Sequence, residues 1–281
     1  MMQLDRILNN QRLVLALTGM KSAEFLSLLP SFEKELKAYS PKKNRKRKIG
    51  AGRKGALRDS RMKLLYILLY LKVYPTYDLA GFIFGVDKSR CCRWTQHLLP
   101  ILAKTLGREL VLPKRHISSL EEFSKLCPGV KDLFLDGTER PVRRPQKSKL
   151  QKKQYSGKKR CHTRKNSIIS DENRKILFVS PTKSGQIHDL KQIVKTNVLS
   201  HLPRNVALWV DKGFVGIQGH VRDDTDVVIP HKKPINGTLT DKQKKENKIF
   251  SSIRMTVEHA ISGIKRFAST SQIYRNRKGQ D

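Results

Sequence analysis

LFLDGTER, residues 133–140, is the stretch from which the fold is read. Leu133, Phe134 and Leu135 form a short apolar run, and Asp136-Gly137 closes it. A run apolar at successive positions looks like a strand buried on both faces, as in the centre of an α/β sheet. An acid at the carboxyl end of such a strand lies where open sheets place their ligands. Asp-Gly is also a common hairpin turn, and the octapeptide alone leaves both readings open. ALWVDKGF, residues 207–214, repeats the pattern of apolar strand, aspartate (Asp211) and glycine. Two such strands, each ending in an acid, are harder to dismiss as turns.

Downstream, Ile249, Ile253, Val257, Ile261 and Ile264 recur at helical spacing between residues 241 and 267. That stripe predicts a long helix packed on the sheet. Glu258 stands beside Val257 at the edge of the stripe, a position that would hold it near the sheet and away from open solvent. Arg254, four residues earlier, can pair with it on the helix surface, a contact worth ~0.3–0.5 kcal/mol. That pairing competes with a metal-ligand role for Glu258. Between the two strands, residues 167–170 and 176–180 read as a hairpin. Asp189 reads as the cap of a helix containing Leu190, Ile193 and Val194 rather than as a catalytic group.

Lysine and arginine number 58 against 24 acids in 281 residues, a formal net charge of +34. The excess is spread along the whole chain and points to a polyanion partner, first of all nucleic acid. The most apolar run, residues 64–71, is far too short to span a bilayer, and the amino terminus lacks a signal-peptide pattern. The four cysteines have no CxxC spacing and fit a reduced interior, hence a cytoplasmic or nuclear setting.

Four regions are expected. Residues 1–41 read as two helices, with Ser22 able to cap the second. Residues 42–56 form a basic, glycine-containing linker that cannot bury a core. It is read as an arm that follows DNA phosphates or places Arg53 in a minor groove. Residues 57–107 read as three helices, the last two separated by Gly85-Val86 and capped by Asp87. In the last of them Cys91, Trp94, Leu98, Ile101 and Leu102 share one side. Lys88, Ser89, Cys92, Arg93 and Gln96 share the other, which is the helix-turn-helix pattern. A helical dimerisation module has the same outline. The α/β domain occupies residues 131–281. After Asp136 it is intensely basic, and YSGKKRCHTRK, residues 155–165, reads as a flexible basic segment with the donors to lie along a phosphate backbone. Tyr155, Lys158, Lys159 and His162 are the candidates there, and Lys232 and Lys233 extend the basic surface.

Asp136, Asp211 and Glu258 thus stand out as three carboxylates, the donors that hard divalent cations prefer. Beside them the chain carries DGTERPVRRP from Asp136, YSGKKRCHTRK from Tyr155, GQIHD from Gly185, DKGFVG from Asp211, HKKP from His231 and RMTVEHAISGIKRF from Arg254. These stretches, in this order, resemble the DDE transposases of bacterial insertion sequences and the related Harbinger-type nucleases. The resemblance implies a ribonuclease-H-like catalytic domain with Asp136, Asp211 and Glu258 as the metal-binding triad. It implies Mg²⁺ or Mn²⁺ as a pair of ions, with Arg254 and Lys265 on nearby phosphates. Arg254, Glu258 and Lys265 match a tyrosine-arginine-glutamate-lysine signature whose tyrosine position is Ser251 here. It further implies a bacterial cytoplasmic protein at the nucleoid, homo-oligomeric on DNA. Its reaction would be cleavage at transposon terminal inverted repeats and transfer of the 3′ ends to target DNA. A repressor or inactive remnant that only binds DNA, or a nuclease without strand transfer, are the alternatives. The resemblance also implies a further helix beyond the basic stretch at residues 275–278, so the domain is expected to be truncated.

Overall fold

The computed structural model describes residues 4–39, 56–57, 59–108, 112–234 and 237–275. The basic arm with Arg53, apart from its last residue, lies outside the described residues. So does the segment 276–281 on which the expected truncation turns. The chain forms two compact units, one of residues 1–112 with 266–270 and one of residues 113–265 with 271–281. No single helix among the described residues is long and apolar enough to cross a membrane. All four cysteines are free.

The first unit is helical: α1 (Leu4–Leu8), α2 (Gln11–Thr18), α3 (Ser22–Ala38), α4 (Ser60–Val73), α5 (Tyr77–Phe84) and α6 (Lys88–Arg108). Its amino-terminal part makes three helices where periodicity predicts two. Asn10 starts α2 by accepting the Leu13 N–H at 3.0 Å, and left-handed Gly19 ends it. Lys21, and not Ser22, holds the cap position of α3, and its N–H donates to Glu24 at 2.7 Å. The segments read as separate regions share one core, in which Ile7, Val14, Phe25 and Phe32 pack with Leu64, Leu65 and Ile67. Residues 64–69 of α4 are all buried, and a helix apolar all round is a core helix.

The α5–α6 junction follows the sequence reading. Gly85 takes φ +64 and its N–H reaches the carbonyls of Gly81 and Phe82, closing α5. Asp87 accepts the Ser89 N–H at 2.7 Å and so caps α6. Cys91, Leu98, Ile101 and Leu102 are buried, whereas Lys88, Ser89, Arg93 and Gln96 are exposed.

The second unit begins with α7 (Leu120–Leu126), which Ser119 caps by accepting the Glu122 N–H at 3.1 Å. There follow β1 (Asp132–Pro141), α8 (Ser148–Gln154), β2 (Tyr155–Ser156), β3 (Cys161–Asp171), β4 (Ile176–Val179), β5 (Lys183–Ser184), α9 (Asp189–Val194), β6 (Ala207–Val210), β7 (Asp226–Val228) and α10 (Asp241–Lys265), while the short α11 (Ala268–Ser271) falls, but for its last residue, in the first unit. The sheet runs β2-β3-β1-β6-β7, with β4 and β5 also on β3. β1 is antiparallel to β3 and parallel to β6, and β6 is parallel to β7. A mixed sheet with helices on both faces agrees with a ribonuclease-H-like domain. Leu133 and Leu135 pack into a cluster with Phe123 and Ile193, while Phe134 packs oppositely with Ile168, Val257 and Ile261 under α10. Period-two alternation thus buries the central strand on both faces.

Two expectations are corrected. Asp136-Gly137 neither ends the strand nor turns it. β1 runs on to Pro141, because β3 pairs with it continuously from Leu133↔Asp171 to Pro141↔Thr163. It is the partner on the other side that stops, since β6 pairs only as far as Leu135↔Val210. Residues 155–165 are not an open basic loop either. They form the β2–β3 hairpin, and their last residues belong to the sheet.

Gly81 lies where α5 meets the following turn, and a Cβ there would stand 2.5 Å from the Val86 carbonyl oxygen, which is backbone and cannot swing aside. Gly81→Ala should therefore destabilise the helical unit by about 1–3 kcal/mol. Chemical denaturation of wild type and variant checks this, and equal midpoints and slopes would refute the close approach.

Candidate active site

Each of the three acids is placed by a different element. Asp136 is mid-strand in β1, with Oδ1 accepting the Gly137 N–H at 2.7 Å. Asp211 follows β6 directly, caps a short 3-10 turn and accepts the Lys212 N–H at 2.6 Å. Since Leu135 pairs with Val210 on parallel strands, Asp136 and Asp211 are next in register, where neighbouring strands lie ~4.8 Å apart. Glu258 stands on α10, one turn beyond Arg254.

Arg254 joins them. Its Nη2 lies 2.8 Å from Glu258 Oε1 and 3.9 Å from Asp136 Oδ2, and its Nη1 lies 3.2 Å from Asp211 Oδ1. The surface pairing of Arg254 with Glu258 is present, but the same guanidinium also serves both aspartates. Its Nε is buried and has no hydrogen-bond partner among the described residues. Glu258 departs from expectation: its side chain is 56% exposed, because it leans along the helix to Arg254 instead of under α10. Ser251, at the signature's tyrosine position, returns its hydroxyl to the Asn247 carbonyl at 2.9 Å.

Asp136 is set apart from water, with its side chain 19% exposed. Burial pushes its carboxyl above the usual range. The Gly137 N–H and the Arg254 charge oppose this, Asp211 adds to it, and Lys158 opposes it. Lys158 and Lys159 are exposed on the β2–β3 turn. Tyr155 packs edge-on against His162, with ring centroids 5.8 Å apart. Lys232 and Lys233 are exposed, in a segment tied to α10 by the His231 N–H to Asn247 at 2.8 Å and His231 Nε2 to Glu246 at 2.6 Å. Lys265 lies seven residues past Glu258, about 10 Å along the helix. Lys88, Ser89 and Arg93 belong to the helical unit.

A buried charge chain escapes sequence reasoning. Lys165, placed by sequence among the phosphate-facing donors, is buried in β3. Its Nζ lies 3.5 Å from Glu139 Oε1 and 3.0 Å from Asp189 Oδ1, and donates to the Ile187 carbonyl at 3.1 Å. Burial pushes the Glu139 carboxyl up, but hydrogen bonds from Thr163 and Ser156 and the Lys165 charge outweigh it, so its value falls below the ordinary one. Asp189 is the first residue of α9, with His188 in the cap position. Its carboxylate lies against both Gly137 and Gly213, where a Cβ would be 3.1 Å and 3.2 Å from its oxygens. The two glycines of the DG and DKG motifs thus make room for one aspartate behind the acids. The shared glycine was the available signal.

Among the described residues, no three histidine, cysteine, aspartate or glutamate side chains converge closely enough to hold an ion by themselves. The acids converge on a guanidinium instead. The donor set nevertheless fits a hard divalent cation: all its ligands are carboxylate oxygens, and a positive charge already lies among them.

Comparison with known proteins bears on both units. Residues 135–279 match the family described as DDE superfamily endonuclease, and residues 56–108 match the helix-turn-helix of DDE superfamily endonuclease. A probable transposase for insertion sequence element IS702 from Microchaete diplosiphon is 31% identical over 235 residues, covering 83% of this chain and 78% of that protein. No solved structure matches.

The raised Asp136 carboxyl sets a stability test. Below the unfolded-state value both states are protonated and nothing is lost. The cost of ionising it grows as pH rises to the folded-state value and is complete above that. In metal-free buffer at neutral pH, Asp136→Asn should therefore melt above wild type, by ~2–4 °C for each kcal/mol recovered. The gap should close as pH falls into the ordinary carboxylate range. A variant that melts lower at neutral pH would show that the ionised form anchors Arg254 more than burial penalises it.

Proposed function

The chain belongs to the DDE superfamily endonucleases of the transposase family, and we propose that it cuts DNA at the ends of its own mobile element and joins the freed 3′ hydroxyls to target DNA. The observation that carries this reading is the convergence of Asp136, Asp211 and Glu258, from two parallel strands and a helix, on one guanidinium. The family as a whole uses divalent metal. Here Asp136, Asp211 and Glu258 would hold Mg²⁺ or Mn²⁺, as a pair of ions. When bound, such ions supply activation of the attacking oxygen and stabilisation of the leaving one in an in-line displacement at phosphorus.

The protein's own groups do the rest. Asp136, fixed by the Gly137 N–H, and Asp211, fixed by the Lys212 N–H, present their second oxygens at adjacent strand positions. Arg254 leaves the carboxylates and takes up a non-bridging phosphate oxygen, for which its planar fork is suited. Lys265, Lys158 and Lys159 extend the cationic surface along the strand, with Lys232 and Lys233 flanking the start of α10. Tyr155 and His162 provide ring faces for an unpaired base. In the helical unit, Lys88, Ser89 and Arg93 on the exposed side of α6 read the terminal inverted repeats. The chain acts as an oligomer that holds two ends together.

Asp136→Asn, Asp211→Asn and Glu258→Gln should each abolish cleavage of the element's ends in Mg²⁺ or Mn²⁺ while leaving metal-free DNA affinity close to wild type. Gel shift and cleavage on the same preparations check this, and wild-type cleavage by any one variant removes that residue from the triad. Joined products separate transposition from simple nuclease action.

Arg93→Ala should erode preference for the element's own ends over random DNA by about 1–3 kcal/mol, an order of magnitude or more in affinity ratio. Equal weakening on both DNAs would remove α6 from recognition.

A further inference from the structure

Asp136 and Asp211 can share an ion only at a fixed separation, and ligand sets of this kind need a precision of about 0.5 Å. The ladder of the sheet does not set that separation. β6 pairs with β1 only as far as Val210, so Asp211 lies one residue past the last paired position. It opens a 3-10 turn, closed by the Phe214 N–H to the Asp211 carbonyl at 2.9 Å.

What spans the gap lies on the other face of the sheet. Positions alternate along β1, so Asp136 shares the face of Phe134 under α10, and Gly137 shares the face of Leu133 and Leu135 on which α9 packs. Asp189 opens α9 there. A Cβ on Gly137 would stand 3.1 Å from Asp189 Oδ1, and a Cβ on Gly213 would stand 3.2 Å from Oδ2. One carboxylate therefore lies at once against the strand just after Asp136 and the turn just after Asp211.

This carboxylate is itself anchored. Lys165 Nζ lies 3.0 Å from Asp189 Oδ1, and the Lys165 side chain is 9% exposed. Lys165 stands opposite Glu139 in the ladder and meets its carboxylate at 3.5 Å, and Glu139 accepts the Thr163 hydroxyl at 2.7 Å. Three residues along α9, buried Gln192 donates through Nε2 to the Lys165 carbonyl and to Ser180 Oγ, both at 2.9 Å. A buried ion pair is weak support for stability and is best suited to fixing one register. Here that register is the first turn of α9 on β3.

We propose that Asp189, held by Lys165, is a positioning residue, the spacer that sets the separation of Asp136 and Asp211. It acts through Gly137 and Gly213 and touches neither ion nor DNA. The role rests on the reading of the three acids as a metal site, and adds to it what fixes their spacing.

Two readouts on the full-length, DNA-free protein test the spacer. One is Mn²⁺ affinity, from loss of the free-ion paramagnetic resonance signal. The other is amide hydrogen exchange at Lys212 and Phe214 in metal-free buffer. Asp189→Ala should lower Mn²⁺ affinity roughly ten- to hundredfold, as loss of a group that supports metal ligands does, and should quicken exchange at both amides. Asp189→Asn keeps the shape of the spacer and should bind Mn²⁺ more tightly than Asp189→Ala. Val198→Ala trims a buried side chain of the same apolar cluster. It should lower the melting temperature and keep the wild-type Mn²⁺ affinity. Wild-type Mn²⁺ affinity in Asp189→Ala, an equal loss in Val198→Ala, or Asp189→Asn binding no better than Asp189→Ala overturns the spacer. Should Asp189→Ala fail to fold, Gly213→Ala displaces the carboxylate from the other side and should weaken Mn²⁺ binding likewise. If wild type itself binds no Mn²⁺ while exchange at Lys212 and Phe214 still quickens in Asp189→Ala, the metal reading of the acids falls and the spacer stands.

Discussion

Three carboxylates meet around a single guanidinium where β6 ends beside the middle of β1, and much of the catalytic unit is arranged to allow it. Like charges at this separation repel, and Asp136 is partly withdrawn from water, which raises the cost of its ionised form. Arg254 offsets this by reaching all three, at 2.8, 3.2 and 3.9 Å. It does so because Arg254 and Glu258 are one helical turn apart and the stripe of α10 packs on Phe134 and Ile168, the face to which Asp136 also points. A site held this way is costly to the fold, as sites of chemistry commonly are. The guanidinium keeps the cluster assembled, and the same positive requirement suits the cluster to divalent metal.

β1 makes the geometry possible. It is parallel to β6 on one edge and antiparallel to β3 on the other, and the two partners differ in length. Where β6 stops, Asp211 leaves the sheet beside Asp136. Where β3 continues, the ribbon extends beyond the acids and carries Arg140 and Arg164. Behind this junction Asp189 occupies the space left by Gly137 and Gly213, and Lys165 bridges it to Glu139. A Cβ at either glycine would push this aspartate away, a packing reason for glycine in both motifs.

The sheet's centre was legible in sequence because burial leaves a pattern. The runs at residues 133–135 and 207–210, and the isoleucine stripe of α10, each reported its own environment. The α5–α6 turn was legible because Gly85 and Asp87 are local devices. What failed was everything decided by a partner distant in sequence. Asp-Gly looks like a stop, yet continuous pairing with β3 carries β1 through it. Lys165 looks like its basic neighbours, but alternation along β3 turns it inward onto Glu139 and Asp189. Glu258 sits beside a buried valine, yet its side chain follows Arg254 outward. Composition places charge on the chain and says nothing of which charges find each other.

Whether carboxylate oxygens and a cation define this site is tested most directly by Mn²⁺ binding to the DNA-free protein, followed by loss of the free-ion paramagnetic resonance signal. Wild type should bind Mn²⁺ saturably, Arg254→Gln should bind it more tightly because the guanidinium no longer competes for the same oxygens, and Asp211→Asn should bind it weakly. Arg254→Gln binding no more tightly than wild type, or Asp211→Asn binding equally well, would show that the guanidinium and the metal do not share these three acids.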